Sequence, residues 1–478
     1  MHLARRLLPA ALVSTLLPIS AHAFEISTGY DGLNDPRTSI KGLSRVYFGH
    51  DMGHGISFGQ SIYSAAKGDG GGAFFWGVEG VKRFALTDRL SVHGSLFLGG
   101  GGGAAVVVGN GFMTRVGLGL GYALSDRLDA ELGASYIDID GADIENSAIN
   151  AGLTWHIGAR PDQTARTGSA LAMPLRSVSM RATYMDMGNS RDRTGAKQSS
   201  LKLAGVESSF LLGQNNELVL GTDGAASGGE GYMQIMGSLR HRISLGQRVS
   251  VYGQGGIGFG GGGLVDTGGG TLVSADLGMS IALLPWADLD LSVGKTVAPS
   301  GDMNGTIARV NLTRVFRRAI DEPSVSNHPQ RWIYSLGISS QQPNSDFRKA
   351  GAPGSGHPVM QESSVDMFLT DNLYATGNAQ TALGGEVAGY AIGMIGLGWR
   401  QPIADRWAVS LEGRVGAAGG GGVDVAGGVI GSVAAEVDYA LTDQVYVSMG
   451  VGKIKALKGG GMAPTTVTAG LKFPFTTH

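Results

Sequence analysis

The chain has 478 residues, with 37 Lys and Arg against 39 Asp and Glu, a formal net charge of −2, 81 glycines and no cysteine. Near-neutral, unclustered charge offers no footprint for nucleic acid, and without cysteine there is no disulfide framework, thiol chemistry or lipid-bearing Cys. Glycine stands at about 17% against an average near 7%, yet there is no G-X-Y period, and 42% hydrophobic with only 16% charged residues fits disorder poorly.

The chain begins with Arg5 and Arg6, an apolar run from Leu7 to Ile19, and the small-x-small ending Ala21-His22-Ala23. That is the layout of a secretory signal peptide, residues 1–23, cleaved after Ala23. The run is too short to span a bilayer comfortably as a helix. The remaining sequence therefore belongs to an exported protein.

It is repetitive. When "INAGLTWHI", "ARVNLTRVF" and "VTAGLKFPF" are aligned, Leu153, Leu312 and Leu471 coincide at a period of 159 residues. The glycine runs Gly99–Gly103, Gly260–Gly263 and Gly419–Gly422 fall in step. The segments "LTDRLSVHG", "LGQRVSVYG" and "IADRWAVSLEG" precede them. Internal order of this kind marks a repeated unit. The units run over 24–158, 176–316 and 331–478, joined by polar, proline-containing linkers at 159–175 and 317–330.

Each unit alternates with period two, the signature of strands. In Tyr232–Leu245, Met233, Ile235, Gly237, Leu239, His241, Ile243 and Leu245 form one face; Tyr232, Gln234, Met236, Ser238, Arg240, Arg242 and Ser244 form the other. Val249–Ile257, Val273–Ile281 and Ala308–Leu312 repeat the pattern. Short links such as Leu86-Thr87-Asp88-Arg89, Leu124-Ser125-Asp126-Arg127, Leu369-Thr370-Asp371-Asn372 and Leu441-Thr442-Asp443-Gln444 take turns with longer polar ones such as Asn189–Gly195. Eight strands per unit follow, and 24 in all. Trp155, Trp286, Trp332, Trp399 and Trp407 fall at the short-turn or linker ends and only Trp76 at a long-loop end, as an interfacial belt requires.

In these features each unit resembles the small eight-stranded outer-membrane β-barrels of Gram-negative bacteria, over nearly the whole mature chain. The resemblance implies an all-β, transmembrane, up-and-down antiparallel barrel fold with short turns on the periplasmic side and long loops outside. It implies a place in the outer membrane, with outer-membrane lipid as the surroundings. The final strand, with Val467, Ala469, Leu471, Phe473 and Phe475 alternating, resembles those that the barrel-insertion machinery recognises, although Thr476-Thr477-His478 follows where such strands end on an aromatic.

Two closures remain open at this level. One 24-stranded barrel is wide enough for a channel, whereas three eight-stranded barrels are filled by side chains. The long linkers favour three, since a continuous sheet needs no such slack. The inward charges Asp276, Arg309, Glu412, Arg414, Glu436 and Asp438 suit either ion pairs in a narrow barrel or the wall of a pore.

No catalytic, cofactor-binding or metal-binding residue is assigned, and no cofactor is expected. Gly253-x-Gly255-x-x-Gly258 matches the dinucleotide fingerprint, but a glycine content this high produces such matches by chance and no helix follows. Gly294-Lys295-Thr296 has Leu289 where a phosphate loop needs glycine. His50-Asp51-Met52-Gly53-His54 occupies a short turn without counterparts in the other units. Asp138, Asp140, Asp143 and Glu145 read as a solvated acidic loop, since their spacing is not that of an EF-hand. The glycine runs, at the outer end of each fifth strand, are expected to permit bends or close backbone approach. The expected role is non-enzymatic: structural, surface-interacting or transporting. The alternatives are a porin or export channel built as one large barrel, and a lipid-modifying enzyme with a His/Ser/acid cluster at one rim. The segment Gln341–Gln361 is the foremost loop for surface binding.

Overall fold

The computed structural model describes residues 24–33, 36–103, 109–142, 144–157, 174–319, 330–352, 354, 356–443 and 445–477. The expected signal peptide, residues 1–23, and most of both expected linkers lie outside the described residues. Among the described residues every regular element is a strand. The first unit holds β1 (Phe24–Leu33), β2 (Ile40–Asp51), β3 (Ile56–Gly68), β4 (Phe74–Ala85), β5 (Leu90–Gly102), β6 (Phe112–Ala123), β7 (Leu128–Ile139) and β8 (Glu145–Ile157). The second holds β9 (Leu175–Asp186), β10 (Leu201–Leu211), β11 (Asn216–Ser227), β12 (Met233–Ser244), β13 (Val249–Gly261), β14 (Thr271–Leu284), β15 (Ala287–Val297) and β16 (Asn304–Val315). The third holds β17 (Gln330–Gln342), β18 (Val359–Phe368), β19 (Leu373–Gly384), β20 (Ala391–Ala404), β21 (Trp407–Gly419), β22 (Val429–Ala440), β23 (Tyr446–Ala456) and β24 (Thr465–Thr477).

Each set of eight pairs antiparallel in chain order and closes on itself. The seam of the first barrel runs from Phe24↔Ile157 to Leu33↔Ala148, so β8 returns its free edge to β1 and leaves none for β9. The seams β9–β16 and β17–β24 do the same. Three closed barrels stand in place of the alternative of one wide one.

The short turns follow from their sequence. In Leu86-Thr87-Asp88-Arg89 the Thr87 hydroxyl accepts the amide of Leu90 at 2.9 Å, and the Leu86 amide donates to the Leu90 carbonyl at 2.8 Å. Ser125, Thr370 and Thr442 hold Leu128, Leu373 and Val445 in the same way. A small hydroxyl in second place thus replaces a missing backbone partner, and this is why the motif recurs.

The alternation resolves into polar side chains inside and apolar ones outside. On β12, Gln234, Met236, Ser238, Arg240 and Arg242 are buried, while Leu239 and Ile243 are exposed. Leu118, Ile149 and Leu277 are exposed at 67%, 73% and 72%, among a large set of outward Leu, Ile, Val and Phe. Trp286, Trp399 and Trp407 are exposed near the turn end, whereas Trp332 is covered, its ring between Phe316 at 5.8 Å and Phe475 at 6.1 Å. The barrels also touch one another: β3 meets β13 and β14, β11 meets β21, and β19 meets β5 and β6.

Candidate functional site

A channel or a catalytic centre of a barrel is built in its lumen. In the first barrel Glu79, fully buried, is held by Arg45 at 2.9 and 3.0 Å, by Tyr63 at 3.1 Å and by Ser61. Arg115 binds Asp31 at 3.0 Å, and Arg83 bridges Glu25 at 2.7 Å and Glu131 at 3.1 Å. In the second, Arg181 lies between Asp223 at 2.7 Å and Glu207 at 2.9 Å. Arg240 reaches Glu207 at 2.6 Å and Glu217 at 3.5 Å, and Arg242 joins Glu217 at 2.8 Å. In the third, Lys472 contacts Glu436 at 2.5 Å and Asp438 at 3.0 Å, and Arg400 also binds Asp438 at 3.0 Å.

The six inward charges read from the sequence sit within these networks. Asp276 pairs with Arg309 at 2.5 Å, Glu412 with Arg414, and Glu436 and Asp438 with Lys472. They pair and do not line a wide pore. In the first barrel the space beside Asp31, Arg83, Arg115 and Glu131 measures about 20 Å³, room for about one water. The arginines and acids of the first barrel escaped the sequence reading. Each stood in the inward phase of an alternating strand, which was the available signal.

Towards the loop end the lumens turn apolar. Leu43, Tyr63, Phe75, Phe97, Met113 and Ile137 fill the first barrel, with Tyr63 and Phe97 ring to ring at 4.7 Å. Met185, Leu203, Tyr232, Met236 and Leu272 fill the second. Phe347, Met360, Val387, Tyr390 and Met462 fill the third. Each barrel therefore carries a paired-charge layer and an apolar plug in series.

The remaining motifs do not converge on chemistry. Asp51 accepts the Gly53 amide at 2.7 Å, and Gly53, His54 and Gly55 all have positive φ, so the segment is a tight turn. Asp138 and Glu145 are cross-strand partners, Tyr136 donates to Glu145 at 2.7 Å, and Asn110 donates to Asp140 at 3.0 Å; Asp143 lies outside the described residues. Among the described residues no group of His, Asp and Glu is arranged to hold a metal ion. Gly253, Gly255 and Gly258 lie in β13 and Gly294 to Thr296 in β15, extended segments without the loop and helix that phosphate binding requires. At the turn end of the first barrel His156 sits between Asp129 at 2.9 Å and Glu25 at 3.7 Å. The nearby Ser57 hydroxyl donates to Glu25 and accepts from Tyr47 at 3.1 Å, so it is engaged by a carboxylate and a phenol, not by the imidazole.

The loop face offers the better candidate. The described residues of the segment 343–358, namely 343–352, 354 and 356–358, fold down over the mouth of the third barrel. Phe347 enters the plug against Tyr390 at 6.0 Å, and the Asp424 amide donates to the Phe347 carbonyl at 2.8 Å. Arg348 donates to the carbonyls of Glu386 at 2.7 Å and Gly385 at 3.0 Å, and Asn344 anchors Gly461 at 3.0 Å and the Ala463 amide at 2.6 Å. Beside it opens a groove of about 660 Å³ lined by Ser345, Asp346, Arg348, Asp424, Lys458 and Gly460. Residues of both signs of charge line it, a surface suited to a polar ligand.

No family model matches the sequence, and no curated protein matches it. Among solved structures, the siderophore receptor PirA from Acinetobacter baumannii is 11% identical, with 95% of this chain and 81% of that one covered, at a TM-score of 0.29. The copper transporter OprC is 12% identical, with 95% and 80% covered, at 0.31. A designed transmembrane β-barrel is 7% identical, covering 31% of this chain and 98% of its own, at 0.22. Likeness at this level adds nothing to what the strand pairing already establishes.

Proposed function

We propose that the chain is an integral outer-membrane protein in which three non-conducting barrels carry a loop face for surface interaction, a structural rather than an enzymatic role. One observation carries this reading: each closed sheet is apolar outside and filled inside. Exposed apolar surface this extensive is not left to water by a monomeric soluble protein, and a closed barrel is one of only two backbones that hydrocarbon tolerates. Under this proposal the serial charge layer and apolar plug close each lumen to water. On this reading outer-membrane lipid surrounds the barrels, the insertion machinery receives the chain through β24, and the groove beside 343–358 faces outward to meet a polar ligand.

The test uses the absence of native cysteine. Single Lys197→Cys and Lys458→Cys variants on the loop side, and Asp126→Cys and Asp371→Cys on the turn side, are treated in intact cells with a membrane-impermeant maleimide. Labelling of the first pair alone, with the second reached only after permeabilisation, supports the reading. Equal labelling of both pairs, or recovery of the chain in a soluble fraction, overturns it.

A further inference from the structure

The glycine runs do something that no single barrel requires. The ends of β5, β13 and β21 are equivalent, and each is packed against a glycine of another barrel. A Cβ built on Gly261 would strike Gly72 of the first barrel; one on Gly419 would strike Gly231 of the second. One on Gly102 would strike Gly389 and Ala388 of the third, and one on Gly100 would strike Ala382 and Leu383 of the same barrel. For all four the three nearest atoms belong to the neighbour. Gly100, Gly261 and Gly419 have no positive φ, so backbone conformation gives no reason for glycine there.

The contacts run head to tail. The loop before β4 meets the end of β13, the loop before β12 meets the end of β21, and the loop before β20 meets the end of β5. Polar bonds reinforce each step. Arg193 donates to the Gly71 carbonyl at 2.8 Å and Thr271 to that of Ala66 at 3.2 Å. Lys349 reaches Glu230 at 2.6 Å, and the Gly389 amide donates to the Gly101 carbonyl at 2.7 Å. Gln60 on β3 donates to Ser363 on β18, so this outward amide faces a barrel and not lipid.

We infer that these glycines form a self-recognition surface, whose partner is the next copy of the same repeat unit, and that it holds the three barrels in a closed ring without help from the linkers. A heterologous contact either propagates or closes. Here it closes after three, and the last junction joins barrels with no covalent link between them. Close backbone approach through these small residues supplies van der Waals contact and brings backbone groups such as the Gly389 amide and the Gly101 carbonyl within bonding distance.

The experiment places site-specific protease sequences within 159–175 and 317–330 of the full chain, purified folded in detergent and then cut at both sites. The expected result is three fragments that elute together as one species on size exclusion. In the triple variant Gly100→Val, Gly261→Val, Gly419→Val the same cuts release separate single barrels. Gly255→Val, with open space around its Cβ, is the control for valine on a strand and leaves the ring intact. Heat-modifiable mobility on gels verifies that each barrel is folded. Fragments of the native sequence that separate on cutting overturn the inference, as do folded triple-variant fragments that stay together. If the triple variant does not fold, the native arm alone decides.

Discussion

Glu79 offers the sharpest test of a filled lumen. Glu79→Leu removes the carboxylate that Arg45 binds at 2.9 and 3.0 Å and leaves that guanidinium buried beside the Tyr47 ring at 4.9 Å. Near 3 Å and an effective dielectric of about 20, the lost attraction is roughly 5 kcal/mol. The carboxylate no longer has to be desolvated, which returns part of this, and deleting one partner of a buried pair typically costs about 3–5 kcal/mol. Arg115 loses its longer contact with Glu79 at 3.8 Å but keeps Asp31 at 3.0 Å. Combining Glu79→Leu with Arg45→Leu removes both charges and is expected to cost less than Glu79→Leu alone. Urea unfolding in lipid vesicles reads the effect in a background with Trp286, Trp332, Trp399 and Trp407 changed to Phe, so that Trp76 and Trp155 report on the first barrel. A cost for Glu79→Leu below about 1 kcal/mol, or a double variant worse than the single, would mean that water screens the lumen and would refute the filled-core reasoning.

Leu118→Arg places a charge on the outward face of β6 and is expected to cost about 2–4 kcal/mol if that position lies near the midplane of a bilayer; an unchanged folding yield into vesicles would argue against a lipid-facing wall. In planar bilayers the full-length protein is expected to give no large stable conductance steps, and their appearance would overturn the plugged lumen. The Asp192 carboxylate accepts bonds from the Thr194 hydroxyl and the amides of Thr194 and Ala196, which hold its pKa below the ordinary value. A depressed pKa stabilises the loop above the ordinary carboxylate range, near 3.9, and the contribution is lost as pH falls through the folded value. Amide protection at Thr194 and Ala196, relative to intrinsic exchange, should therefore hold at neutral pH and fall only in acid, and protection unchanged in acid would contradict this. Phe475→Ala removes the ring stacked on Trp332 at 6.1 Å and is expected to lower the yield of assembled protein in cells; full yield would detach β24 from any role in insertion.

Much of the fold was legible because its signals are local. Period-two alternation in Tyr232–Leu245 located β12 to within a residue at each end, since a strand between polar lumen and apolar surroundings must alternate. The Leu-Thr-Asp and Leu-Ser-Asp turns were readable because their hydroxyls bond three residues away. The loop 343–358 stood out by length, but its groove did not, because Asp424 and Lys458 come to it from two other loops.

By itself, then, the sequence determined the strand count, the three units, the two faces of the strands whose alternation is clean, such as Tyr232–Leu245, and the absence of disulfides, all set by neighbours along the chain. The tertiary structure alone decided three things. β8 pairs with β1 and not with β9, because alternation is identical in one wide sheet and in three narrow ones. Arg45 meets Glu79, and Arg181 meets both Glu207 and Asp223, because the partner of an inward charge depends on which strands curve to face it. Gly261 meets Gly72 and Gly419 meets Gly231, because a glycine shows only that room is needed, and what fills the room lies in another barrel more than a hundred residues away.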